Sequence, residues 1–143
     1  MKKIGFVAIT MFVVILLFAG WKPADESSGI QFFQGTWKQA LAKAKKEHKP
    51  IFLDLSASWC SPCKLLKKVT FTNPEVGDFY NKNFINVEFD GEKGDGDKLS
   101  DRFNIYGFPA LFYIDENDKV IYRADGYKTP AALIELGKKV LAR

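Results

Sequence analysis

The sequence predicts an α/β domain in which helices sandwich a central mixed β-sheet, preceded by an N-terminal signal or anchor segment. Three observations carry that prediction. Short apolar runs of strand length alternate with amphipathic stretches of helix length through the last three quarters of the chain. The final two runs are separated only by Asp115, Glu116, Asn117, Asp118 and Lys119, the mark of a hairpin. An uncharged apolar run from Ile4 to Ala19 stands apart at the start, behind Lys2 and Lys3.

At 143 residues, 47% hydrophobic and 15% aromatic, the chain suits one domain with a substantial core. Its formal charge is +4, from 21 basic and 17 acidic residues; without Lys2 and Lys3 the balance is 19 to 17. The folded part is thus close to neutral. Its basic residues are spread out, with no stripe of interleaved aromatics, so nucleic acid is not an expected partner.

From the N-terminus, residues 1–20 read as a signal peptide or a retained signal anchor. The apolar run is long for a signal core and short for a spanning helix, which needs about 20 residues. Ala19 and Gly20 offer a cleavage point, and no cysteine follows to carry a lipid. Export, a periplasmic location and a possible membrane anchor follow as expectations. Residues 21–33 read as a polar linker containing the turn-rich stretch PADESSG, and residues 34–143 as the folded domain.

Within the domain, residues 36–49 read as a helix with Trp37, Ala40, Leu41 and Ala44 on one face, stopped by Pro50. Residues 51–55 form a buried strand interrupted by Asp54. A helix opening at Cys60, with Pro62 in its first turn, should run to about Phe71. Asn73 and Pro74 signal the next helix start, as cap and first helical residue. A second core strand spans 84–89, and 90–97 reads as a flexible acidic loop before a short helix through Leu99 and Phe103. Strands at 110–114 and 120–124 form the hairpin. Thr129 and Pro130 open a last amphipathic helix carrying Leu133, Ile134, Leu136, Val140 and Leu141.

The chemistry lies in the only two cysteines, Cys60 and Cys63, which enclose just Ser61 and Pro62. A loop that short constrains little of the unfolded chain, so the pair is poorly placed as a staple. On the first turn of a helix, positions i and i+3 lie within disulfide reach after small rotations. Unpaired N–H groups there favour a thiolate, which is the nucleophile. Cys60, expected to be exposed at the helix start, would attack a partner disulfide, and Cys63, one turn deeper, would resolve the mixed disulfide. Metal is not expected: Lys64 stands where a c-type haem site needs His, structural zinc lacks ligands beyond the cysteines and His48, and Asp90, Glu92, Asp95 and Asp97 do not have calcium-loop spacing. His48, near the end of a lysine-rich helix, reads as a solvated surface residue.

The run Trp59-Cys60-Ser61-Pro62-Cys63-Lys64 at the end of a strand, with Gly107-Phe108-Pro109 before a later strand, resembles the thioredoxin superfamily. Within it, residues 49–60 and 70–76 look most like the C-terminal periplasmic domain of DsbD-type electron carriers and related single-domain proteins. The resemblance implies a thioredoxin fold and a protein-disulfide reductase that uses no cofactor beyond its own dithiol. It also implies disulfide-bearing proteins as partners, a membrane carrier as candidate electron donor, and a monomer. Pro109 falls at the family's cis-proline position, where the backbone of Phe108 would clamp an extended substrate. Trp59 would cover the disulfide and, with Pro62, contribute to partner binding. Asp54, six residues before Cys60, would relay the proton of Cys63. Family members commonly pair that aspartate with a lysine on the next strand; here Asn86 is expected in that place.

An oxidant or isomerase of the same class, and a non-catalytic protein-binding module, are the competing readings. The intact cysteine pair with Trp59 and Pro109 argues against the module. Ser61 and Pro62 carry no charge that would stabilise a thiolate, which favours a reducing couple.

Overall fold

The computed structural model describes residues 28–143, so the expected signal or anchor segment lies outside the described residues. Where helix α1 (Trp37–Glu47) begins, the Thr36 hydroxyl accepts from the Gln39 N–H and the Gln39 side chain reaches back to the Thr36 N–H, a capping box. Strand β1 (Ile51–Ser56) follows the break at Pro50. Helix α2 (Ser61–Leu65) starts with Cys60 as its cap and Pro62 in its first turn. It passes directly into a π-helical turn (Leu66–Thr70), closed by Phe71 N–H donating to Leu66 O at 2.9 Å. The expected single helix to Phe71 therefore widens halfway, which the 3.6-residue periodicity of its apolar positions does not reveal.

Helix α3 (Pro74–Asn83) is capped by Asn73 as expected, and strand β2 (Ile85–Asp90) follows. Residues 90–97 are not one loop, contrary to expectation. Helix α4 (Gly94–Arg102) begins inside the acidic stretch, with Asp95 and Asp97 in its first turn, where carboxylates complement the helix dipole. Asp95 also accepts from the Trp37 N–H at 2.8 Å, tying α4 to α1. Strands β3 (Ala110–Ile114) and β4 (Val120–Asp125) make the hairpin, and α5 (Pro130–Leu141) closes the chain behind its Thr129 cap.

The sheet order is β2-β1-β3-β4. β1 and β2 are parallel, while β3 runs antiparallel to both β1 and β4. Side chains alternate across β1. Ile51, Leu53 and Leu55 point to a core shared with α1 and α4 through Ala40, Ala44 and Leu99. Phe52 points the other way, into a core with Leu66, Phe71, Val76, Tyr80 and Leu133. Asp54 and Ser56 share that second face by parity. Residues 29–33, which the sequence places in the linker, run along the domain: Ile30 N–H donates to Phe71 O and Phe33 N–H to Asn86 O. A Cβ on Gly29 would lie 2.3 Å from Phe71 O, so only glycine admits this close approach.

Candidate active site

Cys60 and Cys63 meet at the carboxyl end of β1, where the strand gives way to α2. They form a disulfide, with S–S 2.01 Å and Cα–Cα 5.3 Å. Cys60 Sγ accepts from the Cys63 backbone N–H at 3.2 Å, one of the N–H groups that the helix start leaves unpaired. Ser61 and Pro62 are exposed beside it. The expected exposure of Cys60 itself is not seen: its residue surface is 2% accessible, against 1% for Cys63. The aromatic ring packed against the cluster of Ala57, Cys60 and Cys63 belongs to Phe108.

Trp59, the expected cover, stands directly beside this cluster in sequence and meets Phe108 in space. Trp59 is 63% exposed, and its indole N–H donates to both carboxylate oxygens of Glu92 at 3.1 Å. Its ring meets Phe108 edge-on at a centroid distance of 6.1 Å. The Phe108–Pro109 peptide bond is cis, as the resemblance implied. Pro109 is buried, Phe108 half-buried, and Tyr106 two residues earlier is 94% exposed. Trp59 and Phe108 thus meet beside the disulfide, with Pro62 exposed on α2.

Asp54 is fully buried, and no donor among the described residues reaches either carboxylate oxygen. It lies on the sheet face covered by α2 and the π turn. Ser56, the next residue on that face, lines a cavity of about 290 Å³ with Cys63, Lys67 and Glu88. The expected cross-strand partner of Asp54 was Asn86, but the register pairs Asp54 with Glu88 and places Asn86 opposite Phe52. Asn86 instead donates to Asn81 Oδ1 at 3.1 Å, farther from the disulfide. Glu88 is ion-paired with Lys67 of the π turn. Burial pushes the Asp54 carboxyl up to about 8, Glu88 adds to the rise, and Lys67 opposes it. The Lys67–Glu88 pair escaped the sequence reading, although Glu88 carries the signal that flagged Asp54, an acid inside an apolar strand.

Among known proteins, residues 37–141 match the family model described as a thioredoxin-like domain. The solution structure of a proposed disulphide-isomerase from Bacteroides thetaiotaomicron is 34% identical, with TM-score 0.71, covering 81% of this chain and 96% of that one. The thiol:disulfide interchange protein DsbD of Haemophilus influenzae is 33% identical over 79 residues, which is 54% of this chain and 14% of DsbD. Spermatogenesis-associated protein 20 of Rattus norvegicus is 43% identical over 63 residues, 43% of this chain and 8% of that protein. The chain thus matches only a small part of the length of these two curated relatives.

Proposed function

The chain belongs to the thioredoxin-like domain family and is a thiol–disulfide oxidoreductase; from that premise we propose that it reduces protein disulfides in the cell envelope. The observation that carries the exchange chemistry is the Cys60–Cys63 disulfide at a helix start, with a backbone N–H aimed at the Cys60 sulfur.

In the reduced protein, the Cys60 thiolate attacks a substrate disulfide and forms a mixed disulfide, while the substrate's other sulfur leaves as thiolate. Cys63 then loses its proton and attacks Cys60 Sγ. The reduced substrate departs, and the pair is left oxidised as in the structure. Asp54 is the relay for the Cys63 proton: its carboxyl titrates near 8, close to a free thiol at about 8.5, so its ionised form accepts that proton at little cost and passes it on when the reduced pair is restored. Trp59, Tyr106 and Phe108 receive the substrate chain, beside Pro62 and Pro109. A membrane carrier is the proposed electron source, and residues 1–20 the export signal or anchor. The domain is proposed to act as a monomer.

Two features support reduction over oxidation. Neither Ser61 nor Pro62 carries charge, and the Cys63 N–H is the donor seen at the Cys60 sulfur. A weakly stabilised thiolate gives a more reducing couple. The experiment that tests the function is capture: Cys63→Ala in a cell-envelope extract should hold partners as mixed disulfides through Cys60, released by dithiothreitol. With Cys60→Ser, capture should vanish. Equal capture by both variants would refute the assigned roles.

A further inference from the structure

We infer that the Phe108 side chain is a lid over the Cys60–Cys63 disulfide that excludes small thiols and yields to a polypeptide partner, which makes it a residue that sets partner specificity. The inference rests on the exchange chemistry proposed above and concerns which thiols gain access to it.

Cys60 is not buried by depth. Its neighbours Trp59, Ser61 and Pro62 are all exposed, yet the cysteine is 2% accessible. Disulfide exchange requires the incoming sulfur to reach Cys60 Sγ. A covered sulfur must first be uncovered, and the partly buried ring packed against the cluster of Ala57, Cys60 and Cys63 is that of Phe108.

The ring occupies a seat prepared for it. A Cβ on Gly91 would lie 2.3 Å from Phe108 Cε1 and 2.6 Å from Cζ, so the ring fills the space a side chain at position 91 would take. Gly91 is pinned there by its N–H, which donates to Ser56 O at 2.8 Å. The ring also meets Trp59, whose indole is held by Glu92. One side of the lid stays open to solvent, because Phe108 is only half-buried. The approach is open as well: Tyr106 is 94% exposed, and a Cβ built on Gly107 would meet nothing within 4 Å. A chain lying along Tyr106 and Gly107 can displace the ring and put its own apolar groups on the vacated surface. A small thiol brings too few contacts to offset that displacement.

The gated step is ordinary exchange. A thiolate attacks Cys60 Sγ, a new S–S bond forms, and the Cys60–Cys63 bond breaks with its electron pair on Cys63, which takes up a proton. A second thiolate then attacks the sulfur of the first. The disulfide of the two thiols leaves, and Cys60 is released as thiolate. Two thiols are oxidised and one protein disulfide is reduced.

The test measures the rate at which reduced glutathione opens the oxidised protein, and the reverse rate with glutathione disulfide, in the wild type, Phe108→Ala and Gly91→Ala. The last variant evicts the ring without changing it. Removing a lid should accelerate both directions by about tenfold or more in each variant, with their ratio held within about threefold. Unchanged or slower rates in Phe108→Ala would overturn the inference. So would acceleration in the reducing direction alone, which would mean that the ring stabilises the disulfide rather than covers it. Should Gly91→Ala fail to fold by circular dichroism, the two rates of Phe108→Ala decide the matter. Because glutathione is the probe, the result does not depend on any protein substrate. Failure of the wild type to exchange with protein disulfides would count against the proposed function and leave the lid measurement intact.

Discussion

Two polar centres lie on the same face of the sheet, one alternation apart. Phe52 is cross-strand from Tyr113, and Asp54, two residues on, is cross-strand from Leu111. At the first level the Tyr80 and Tyr113 hydroxyls bond each other at 2.6 Å, and Tyr80 donates onward to Leu133 O at 2.7 Å. At the second, nearer the disulfide, the Asp54 carboxyl is equally buried and has no hydrogen-bond partner among the described residues. Both are removed from water; only one is satisfied. A bonded buried pair adds to stability, whereas an unbonded carboxyl subtracts from it. The difference separates a centre that stabilises the core from one that costs stability, which is what the proposed proton relay at Asp54 would require.

The largest expected effect breaks the unsatisfied centre. Folded Asp54 keeps its proton to about pH 8, while an unfolded aspartate loses it near 3.8. Between those values the folded state binds more protons, so native stability should fall as pH rises from about 4 to about 8, and level off below that window. Asp54→Asn should abolish the slope and, after allowing for a buried amide, raise stability at pH 7 by roughly 2–4 kcal/mol. Denaturant titrations across that pH range measure this directly. Resolution of mixed disulfides should meanwhile slow by about a hundredfold, the low end of general acid–base contributions. A gain in stability without that loss in rate would leave Asp54 a packing defect rather than a relay.

Breaking the satisfied centre should do the opposite. Tyr80→Phe strands the Tyr113 hydroxyl and Leu133 O, and is expected to destabilise by about 1–3 kcal/mol. Exchange rates and redox potential should stay unchanged, as read by denaturation and insulin-reduction assays on the same protein. A changed potential would show that the two levels are coupled.

The smallest expected effect is the sharpest. Glu88 and Lys67 act on Asp54 with opposite signs, so Glu88→Gln should move the midpoint of the pH–rate profile down and Lys67→Gln should move it up, each by up to about one unit. Shifts in the same direction would mean that the ion pair acts on the fold rather than on the proton.

How much of this was legible in the sequence differs between the two levels. The strands, the caps at Asn73 and Thr129, the cysteine pair and the Phe108–Pro109 turn all rest on local patterns: alternation, capping residues and motif spacing. Asp54 was visible because a charge inside an apolar strand needs a reason. Its partner was misplaced by one alternation, because a parallel register has no connecting turn to fix it. The lid was hidden for a related reason. Which aromatic covers Cys60 depends on the bare surface of Gly91 and the tether of Trp59 to Glu92, contacts that join residues from 59 to 108. The early start of α4 was masked by three glycines and four acids between Asp90 and Asp97, a composition that reads as loop even where Asp95 is held by Trp37.

Cys60 and Cys63 are proposed to form a reducing couple, and their redox potential decides it. One N–H donor at the Cys60 sulfur among the described residues and an uncharged Ser61–Pro62 bridge leave the thiolate only modestly stabilised. Equilibrating the protein with mixtures of reduced and oxidised glutathione should therefore give a value near that of thioredoxin, about −270 mV. A value above about −180 mV, in the range of protein disulfide isomerase, would make this protein an oxidant or isomerase instead.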